Sequence, residues 1–290
     1  MQRLRHAQPE LEDRPLVLFS VAHQGLRVVA CSKEAQATGV QPGLPLAEAN
    51  LLLETAAKQA NGSLPMPAAS RCLWEPVADE KGLRELACGL ESFSPTVGLE
   101  QAEFPETLLL DVTGCAELFG GEGEYLDQLV RQLMTERWRA RVAVADSVAA
   151  AWGLSHFADK QSLRQRRVRP PVELLQFTDP AVVVGRLPVQ ALRLSDRVLE
   201  LLRELDLQRI EQLEKLPRSS LAARFGPVVA GRLDQIRGDR PEFITPVRPT
   251  AFPSAVWEGD FPLREMSALN IVLEDLLQQV TGQLAPRGLG

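Results

Sequence analysis

The side chains best suited to chemistry are four carboxylates that lie between residues 97 and 121. They are Glu100, Glu103, Glu106 and Asp111. An apolar strand is predicted from Thr107 to Leu110, so that Asp111 ends it and the three glutamates precede it on an exposed connection. Carboxylate oxygens are the ligands that Mg²⁺ prefers, and paired Mg²⁺ ions serve phosphoryl transfer. If these side chains converge, the stretch predicts a two-metal site.

The same carboxylates also have an ordinary structural interpretation, which we favour. Asp commonly accepts a hydrogen bond from the backbone of its own turn, and Asp111 begins the sequence Asp-Val-Thr-Gly. The three glutamates are typical of a solvated loop. The glycine pair at Gly120 and Gly121 is predicted to be a structural turn that opens a helix.

Strands and helices alternate around this stretch, which predicts an α+β fold with helices on one face of a sheet. A hairpin is predicted from Pro15–Ser20 and Leu26–Cys31, followed by a helix capped by Ser32 and a second from about Leu46 to Leu53. The other predicted elements are helices at Asp79–Phe93, Glu124–Glu136 and Ser147–Phe157 and a strand at Arg141–Ala145.

The second half of the chain differs from the first in charge and in periodicity. Residues 1 to 159 hold 13 Lys and Arg against 22 Asp and Glu, whereas residues 160 to 290 hold 19 against 16. The basic segment KQSLRQRRVRPP at 160 to 171 is predicted to be a linker or strand edge. An all-helical region is predicted from Glu173 onward, followed by a strand at Ala255–Phe261 and a helix at Ala268–Leu284. A polyanionic partner is expected to meet the second half first.

The composition predicts a soluble protein of a reducing cytoplasm. The 290 residues are 45% hydrophobic and carry a net charge of −6. Four isolated cysteines lack the spacing of a zinc site or a disulfide scaffold. We expect no signal peptide and no membrane partner, because no apolar run approaches the ~18 residues of a membrane span.

Several motifs resemble those of the Y-family DNA polymerases, the translesion group, and most closely its ImuB branch. They are VGLEQAE…LLLDVTGCAELFGGE, RVAVADSVAAAW, LPVQALRL…LRELDLQRIEQLEKLPRSSLAARFG and PLVLFS…LRVVACSKEAQATGVQPGLPLAEAN. The resemblance implies a palm at 1–30 and 76–168, a small fingers insertion at 31–75, a helical thumb at 169–245 and the truncated start of a little finger at 246–290. It also implies a first palm strand ahead of Pro9, where this chain has only the short, mostly polar segment MQRLRHAQ and no Asp in an apolar strand.

Active members of that family hold two Mg²⁺ with three carboxylates, including an adjacent Asp-Glu pair, and this sequence departs from the pattern. Alignment from the Val97 side places Glu100 and Gln101 on the pair, and alignment backward from Leu110 and Asp111 places Glu106 and Thr107 there. In the fingers, Lys33 and Gln36 replace the Tyr and Arg that contact the triphosphate. The helix that usually begins with Asn-Lys begins with Ser147 and Val148.

The resemblance therefore implies a catalytically inactive homologue that acts as an adaptor in DNA-damage-induced translesion synthesis and mutagenesis. Its implied partners are primer-template DNA, bound weakly, an active replicative or translesion polymerase and the sliding clamp, in the cytoplasm at the nucleoid. No cofactor is expected. The alternative is an active, divergent, Mg²⁺-dependent translesion polymerase, which would require Glu100 or Glu106 and a further carboxylate.

Two segments are candidates for DNA contact. The first is the basic run of Lys160, Arg164, Arg166, Arg167 and Arg169, for which a solvated linker is the alternative. The second is the predicted helix pair joined at Leu205 to Leu207, which resembles a helix-hairpin-helix. There, Asp206 replaces the usual Gly and repels phosphate, so we favour a packing role for the leucines.

Overall fold

The computed structural model describes residues 1–23, 25–59, 68–158, 165–169, 172–176, 180–247, 254–258 and 265–284. The chain divides into two compact units, Met1–Thr245 and Pro246–Gly290. The first unit begins with a short helix, α1 (Gln2–Ala7), and a 3₁₀ turn at Pro9–Leu11.

The first sheet has the strand order β2-β1-β3. Strands β1 (Leu16–Ala22) and β2 (Gly25–Cys31) form the predicted antiparallel hairpin, and β3 (Ser70–Leu73) lies parallel to β1 on its other side. Strand β3 has no sequence prediction because its four residues alternate between half-buried and exposed and carry a weak apolar signal. Strand β1 therefore has a neighbouring strand on both sides, and its Leu16 and Val17 are fully buried.

Two helices cover this sheet as the sequence predicts. Helix α2 (Lys33–Gln36) starts at Ser32, whose side chain accepts a hydrogen bond from the backbone N–H of Ala35. Helix α3 spans Leu46–Gln59, six residues beyond the predicted end. The small core between sheet and helices contains Val17, Val28, Cys31, Ala35, Val40, Leu46, Ala49 and Leu53.

The carboxylate-bearing stretch lies in the next part of the fold. Helix α4 (Pro76–Gly89) precedes a two-stranded antiparallel sheet of β4 (Val97–Leu99) and β5 (Leu108–Leu110). The sequence predicts an exposed connection over the whole of the stretch ahead of Thr107, and this is wrong for residues 97 to 99, because Val97 and Gly98 are buried and pair with β5. Helix α5 (Glu122–Thr135) then buries an apolar face that includes Tyr125, Leu126 and Leu129.

A third sheet follows, with the order β6-β8-β7. Strand β6 (Ala140–Ala143) leads through the Ser147 cap into α6 (Val148–Phe157), as predicted. Strands β7 (Gln165–Arg169) and β8 (Val172–Gln176) form a hairpin, and β8 runs parallel to β6. The prediction that an all-helical region begins at Glu173 is wrong: the apolar run Val-Glu-Leu-Leu is a buried strand, and helices begin only at α7 (Pro180–Arg186).

The region after α7 is helical, as the sequence predicts. It comprises α8 (Asp196–Glu204), α9 (Ile210–Glu214), α10 (Arg218–Phe225) and α11 (Pro227–Arg237). One apolar cluster joins these helices to α6, with Leu154, Leu202, Ile210 and Leu213 at 0% exposure. Because α6 belongs to this cluster, the position of its side chains is fixed by packing against the helical region.

In the second unit, the described residues contain one helix, α12 (Met266–Leu284), in agreement with the prediction. The predicted strand at Ala255–Phe261 is wrong for residues 255–258, which have no regular structure, and residues 259–261 lie outside the described residues. In the described part of the chain, no helix is long and apolar enough to cross a membrane.

Candidate functional site

Glu100 follows β4 directly, and Thr107 immediately precedes β5 across the hairpin. The backbone N–H of Glu100 donates to the carbonyl oxygen of Thr107 at 3.1 Å. The backbone N–H of Glu106 donates to Glu100 Oε1 at 2.7 Å. The two alternative alignments of the carboxylate pair therefore meet in space, because both place their residues at the mouth of one hairpin.

The second carboxylate oxygen of Glu100 is bound by an aromatic side chain that the sequence did not connect with it. Trp152, in the second turn of α6, donates its indole N–H to Glu100 Oε2 at 2.6 Å. Both carboxylate oxygens of Glu100 thus accept a hydrogen bond from within the protein, and the residue is only partly exposed. A hydrogen bond to an ionised group contributes about 1.5–3 kcal/mol, so this carboxylate is held firmly.

His156 reinforces the contact between α6 and the hairpin. Its ring stacks on Trp152 with centroids 4.0 Å apart. Its Nδ1 lies 2.8 Å from the carbonyl oxygen of Trp152, and its Nε2 lies 3.3 Å from Thr107 Oγ1. The Glu100–Trp152 pair is therefore backed by a second ring that touches the other side of the hairpin.

The helical region contacts Trp152 on a third side. The guanidinium of Arg193 lies 5.4 Å from the Trp152 ring centroid, at the distance of a cation–π contact. The same guanidinium forms an ion pair with Glu242 at 2.6 Å, and both side chains are about four-fifths buried. Burial, followed by the neighbouring charge of Arg193, lowers the pKa of Arg232 from its ordinary value. We name the set Glu100, Trp152, His156, Arg193 and Glu242 the Trp152 cluster.

The remaining acidic side chains of the stretch lie apart from this cluster. Asp111 Oδ1 accepts a hydrogen bond from the backbone N–H of Thr113 at 3.0 Å, which confirms the prediction that Asp111 stabilises its own turn. Glu103 and Glu106 are exposed, as a solvated loop predicts, whereas Glu100 is not. Gly120 and Gly121 have φ values of 87° and 114°, which confirms the structural turn before α5.

Within the described residues, no group of three or more His, Cys, Asp or Glu side chains has the geometry of a metal site. Gln101, the partner of Glu100 in the first alignment, is exposed and its amide nitrogen lies 3.5 Å from Thr245 Oγ1. Glu100 is therefore the one described carboxylate of the stretch that is both partly buried and bound by side-chain and backbone donors.

Comparison with protein families identifies one whose profile matches more than half of the chain. Residues 1–156 match the profile of the impB/mucB/samB family. The chain belongs to this family. Protein ImuB of Caulobacter vibrioides (strain NA1000 / CB15N) is 34% identical over 219 residues, which are 74% of this chain and 44% of that relative. This chain therefore spans less than half the length of the curated relatives it matches.

Solved structures of Y-family polymerases share the fold. The crystal structure of DinB from Sulfolobus solfataricus has a TM-score of 0.58 and 18% identity over 84% of this chain and 65% of that one. The insertion ternary complex of Dbh DNA polymerase has a TM-score of 0.60 and 18% identity over the same shares. These likenesses confirm the predicted α+β fold of a Y-family polymerase.

The two residues that replace the triphosphate contacts of active Y-family members lie on α2, one of the helices that cover the first sheet. Lys33 and Gln36 are both exposed. Burial raises the pKa of the neighbouring Cys31 thiol, and a hydrogen bond with the Gln36 side chain partly offsets that rise. Their relation to a nucleotide stays a prediction.

Of the basic run, Lys160 and Arg164 lie outside the described residues. Arg166, Arg167 and Arg169 belong to β7, which pairs with β8 at the end of its sheet. The alternative of an irregular linker is therefore wrong for 165–169, and the alternative of a strand edge is confirmed there. DNA contact by these arginines stays a prediction.

The backbone amides of the helix-hairpin-helix candidate already have acceptors inside the protein. The N–H groups of Gln208 and Arg209 both donate to Gln212 Oε1 at 2.8 Å. The N–H of Leu207 donates to the carbonyl oxygen of Leu202 at 2.9 Å. Asp206 adopts the left-handed conformation that favours Gly, with φ 55°. The packing interpretation fits these contacts, since Leu207 packs against the helical core.

Sequence reasoning missed Trp152, Arg193 and Glu242 as members of a site. Trp152 is the single large aromatic residue in the run Ala-Ala-Ala-Trp-Gly, and this was the only signal. No spacing rule connects it with Glu100, because the contact crosses 52 positions of sequence.

Proposed function

We propose that this protein is a non-catalytic member of a translesion DNA synthesis system, which contributes a polymerase fold as an adaptor. The observation that carries the proposal is that the Glu100 carboxylate accepts hydrogen bonds from both the Trp152 indole N–H and the Glu106 backbone N–H. The best-placed carboxylate of the hairpin is thereby used to join the hairpin to α6.

The chemistry of metal binding supports this proposal. Mg²⁺ demands near-octahedral oxygen ligands and gives up its water reluctantly, so a two-metal site needs several carboxylates with available oxygens. Here, each oxygen of Glu100 already accepts one hydrogen bond, which leaves it fewer lone pairs for a cation. The residues beside the two candidate positions are Gln101 and Thr107, and neither supplies a second carboxylate.

The similar proteins support a setting in DNA-damage tolerance. The relative named Protein ImuB and the ternary and binary complexes of Dbh DNA polymerase share the family or the fold. On this basis the adaptor contacts primer-template DNA weakly, without nucleotide transfer, and cooperates with an active polymerase and with the sliding clamp at the nucleoid. The arginines of β7 supply the DNA contact, so binding weakens steeply with salt.

The test is primer extension with Mg²⁺ and with Mn²⁺, run in parallel with a DNA-binding assay on the same primer-template. We expect binding that weakens with salt and no nucleotide incorporation by the parent protein. Incorporation that is lost in Glu100→Gln and kept in Glu103→Gln would contradict the proposal and establish the active, divergent polymerase. Glu103 is the matched control because it is an exposed glutamate of the same loop.

A second arm tests the DNA contact. The double charge reversal Arg166→Glu and Arg167→Glu is expected to weaken DNA binding. It should also reduce the steepness of log affinity against log salt concentration by about two. Unchanged affinity and slope would remove β7 from the proposed DNA surface. The matched control is Arg131→Glu on α5, an exposed arginine outside the basic run.

A further inference from the structure

Three arginine side chains lie close together in the helical region. Arg193 closes a short 3₁₀ turn ahead of α8, Arg232 lies on α11, and Arg240 follows the end of α11. Arg232 is within electrostatic reach of Arg193, of Arg240 and of the Glu242 carboxylate. We name Arg193, Arg232 and Arg240 the arginine cluster.

The arginine cluster holds more positive charge than its carboxylate neutralises. Arg193 forms an ion pair with Glu242 at 2.6 Å. The guanidinium of Arg232 has an uncharged partner, since it donates a hydrogen bond to Gln235 Oε1 at 3.0 Å. In the part of the chain that the structure describes, neither Arg232 nor Arg240 forms an ion pair. Three guanidinium groups beside one carboxylate leave a net charge of +2.

The aspartates next to the arginine cluster are occupied elsewhere. Asp234, the only acidic residue of α11, receives two hydrogen bonds from the guanidinium of Arg218 in an ion pair. The Arg218 hydrogen bonds are the main reason why the pKa of Asp234 lies below its ordinary value. Asp239 is exposed, and its charge also acts on Arg218. The excess charge of Arg232 and Arg240 therefore remains.

The position of Arg232 is unfavourable for a cation in the free protein. Its side chain is partly buried, and burial together with the charge of Arg193 lowers its pKa. The guanidinium nevertheless stays charged at neutral pH, because its ordinary pKa is above about 12. Charged groups inside proteins are usually paired. An anion in contact with Arg232 would supply the missing partner.

A glycine allows Arg240 to lie against α11 beside Arg232. A Cβ atom at Gly231 would come within 3.1 Å of Arg240 Nη1. The backbone N–H of Arg240 donates to the carbonyl oxygen of Asp234 at 3.1 Å, which fixes the start of this segment on the helix. Glycine inside a helix is less favourable than alanine. The close approach of the Arg240 guanidinium gives a reason for Gly231 at this position.

We propose that Arg232 and Arg240, supported by Arg193, form a binding site for a dianionic phosphate group. Guanidinium groups bind phosphate oxygens through paired, charge-assisted hydrogen bonds. A dianion neutralises the net charge that Glu242 leaves, whereas a phosphodiester of the DNA backbone carries one charge. The phosphate is either free or the terminal phosphate of a DNA end, because the two share this chemistry. The site differs from the β7 arginines in its element and in its ligand, and it does not require the adaptor function.

The experiment is an NMR titration of the full 290-residue chain that follows the arginine Nε–H signals. Inorganic phosphate is added at about pH 8, where it is mainly a dianion, and sodium chloride of equal ionic strength is the reference. The variants are Arg232→Gln, Arg240→Gln and Gly231→Ala, and the first two also assign the signals. The matched control is Arg224→Gln, because Arg224 is an exposed arginine of α10 outside the arginine cluster.

We expect phosphate, and not chloride, to shift the Arg232 and Arg240 signals saturably. Arg232→Gln and Arg240→Gln should each lower the phosphate affinity about tenfold or more. Gly231→Ala should lower it less, by displacing Arg240, and Arg224→Gln should leave it unchanged. Without phosphate, Arg232→Gln should not lower the midpoint of thermal unfolding, since it removes a partly buried charge from among like charges. A lowered midpoint with unchanged phosphate affinity would overturn the proposal by giving Arg232 a structural role.

Two competitors of one sequence identify the source of the phosphate. One is a DNA oligonucleotide with a 5′-phosphate and the other is the same oligonucleotide with a 5′-hydroxyl. Displacement of inorganic phosphate by the first alone assigns the site to a DNA end, and displacement by neither assigns it to free phosphate. Equal displacement by both would overturn the proposal, because backbone phosphodiesters would then be the ligand.

Three other results would also overturn the proposed phosphate site. They are the absence of a phosphate-specific shift, a phosphate affinity that is the same in the parent, Arg232→Gln and Arg240→Gln, and displacement of phosphate by an octaglutamate peptide, which would assign the arginines to an acidic polypeptide. Nucleotide incorporation does not enter this measurement. Failure of the phosphate site and failure of the adaptor function are therefore distinguishable.

Discussion

The first sheet and the β4-β5 sheet carry similar apolar strands, yet they differ in how completely those strands are covered. Strand β1 lies between β2 and β3, and its Leu16 and Val17 have no exposed surface. Strand β5 has one neighbouring strand in the described part of the chain and borders a cavity of about 980 Å³. The comparison teaches that an apolar run alone does not show how many neighbouring strands a strand has or how completely it is buried.

The largest difference between the two sheets is expected in the response to truncating a leucine. Leu16→Ala removes a fully buried side chain and should lower the free energy of unfolding by about 2–5 kcal/mol. Leu109→Ala removes a partly exposed side chain beside a cavity and should cost less than half as much. Urea unfolding followed by far-ultraviolet circular dichroism measures both. Equal losses would show that β5 is as well covered as β1.

A smaller effect is expected where β4 meets the end of the helical region. A Cβ atom at Gly98 would lie 2.3 Å from the carbonyl oxygen of Thr245 and 2.6 Å from Ile244 Cγ2, so Gly98→Ala must displace this backbone. We expect a loss of about 1–3 kcal/mol in the free energy of unfolding. Gly123→Ala on α5 is the control, because no atom lies within 4 Å of its added Cβ. A neutral Gly98→Ala would mean that residues 244–245 do not pack on β4.

The Trp152 cluster is expected to contribute less to the free energy of unfolding than a core leucine does. The contributions of Trp152 and Glu100 should be coupled. Trp152→Phe keeps an aromatic ring and removes the indole donor, and should cost about 1–2 kcal/mol in the free energy of unfolding. Combined with Glu100→Gln, the two changes should be non-additive by about 0.5–1.5 kcal/mol. A double-mutant cycle in urea measures this coupling. Strict additivity would show that the 2.6 Å contact carries no energy.

The smallest expected effect is a pH dependence of stability that comes from Glu34 on α2, a helix that covers the first sheet. Burial raises the pKa of Glu34, but hydrogen bonds from Ser32, from the backbone and from Arg5 together outweigh it, so its pKa lies below the ordinary value of 4.5. A lowered pKa in the folded state adds stability that is present above the ordinary value and is lost as pH falls through the folded value. As the pH is lowered from about 5 to about 3, the midpoint temperature of thermal unfolding should therefore fall more steeply in the parent than in Glu34→Gln. Equal slopes would contradict this assignment.

The sequence predicted the parts of the fold that depend on local patterns. The Ser32 and Ser147 caps, the β1-β2 hairpin and the helices from α8 to α11 each follow from periodicity or capping within a few residues. The strand at Val172–Gln176 was missed because its apolar run is short and precedes a helical region, and only its pairing with β6 identifies it. Short apolar runs do not distinguish strand from helix.

The candidate site was predicted only in part, and for a physical reason. The sequence located Glu100 and showed that the paired carboxylate is absent beside it, since both are properties of adjacent residues. The capture of Glu100 by Trp152 and the contact of Arg193 with that ring join three separate segments of chain. Such contacts follow from helix packing, here the shared core of α6 and the helical region, which no spacing rule records.

The central claim is that Glu100 is held by Trp152 and does not bind catalytic metal. The most direct measurement is the NMR signal of the Trp152 indole N–H during titration with millimolar Mg²⁺, assigned by its loss in Trp152→Phe. The account predicts that this signal stays at its hydrogen-bonded position throughout, and that primer-template DNA does not change the result. A saturable shift toward the position of a solvent-exposed indole, abolished in Glu100→Gln, would show that Mg²⁺ takes the carboxylate from Trp152 and would contradict the account.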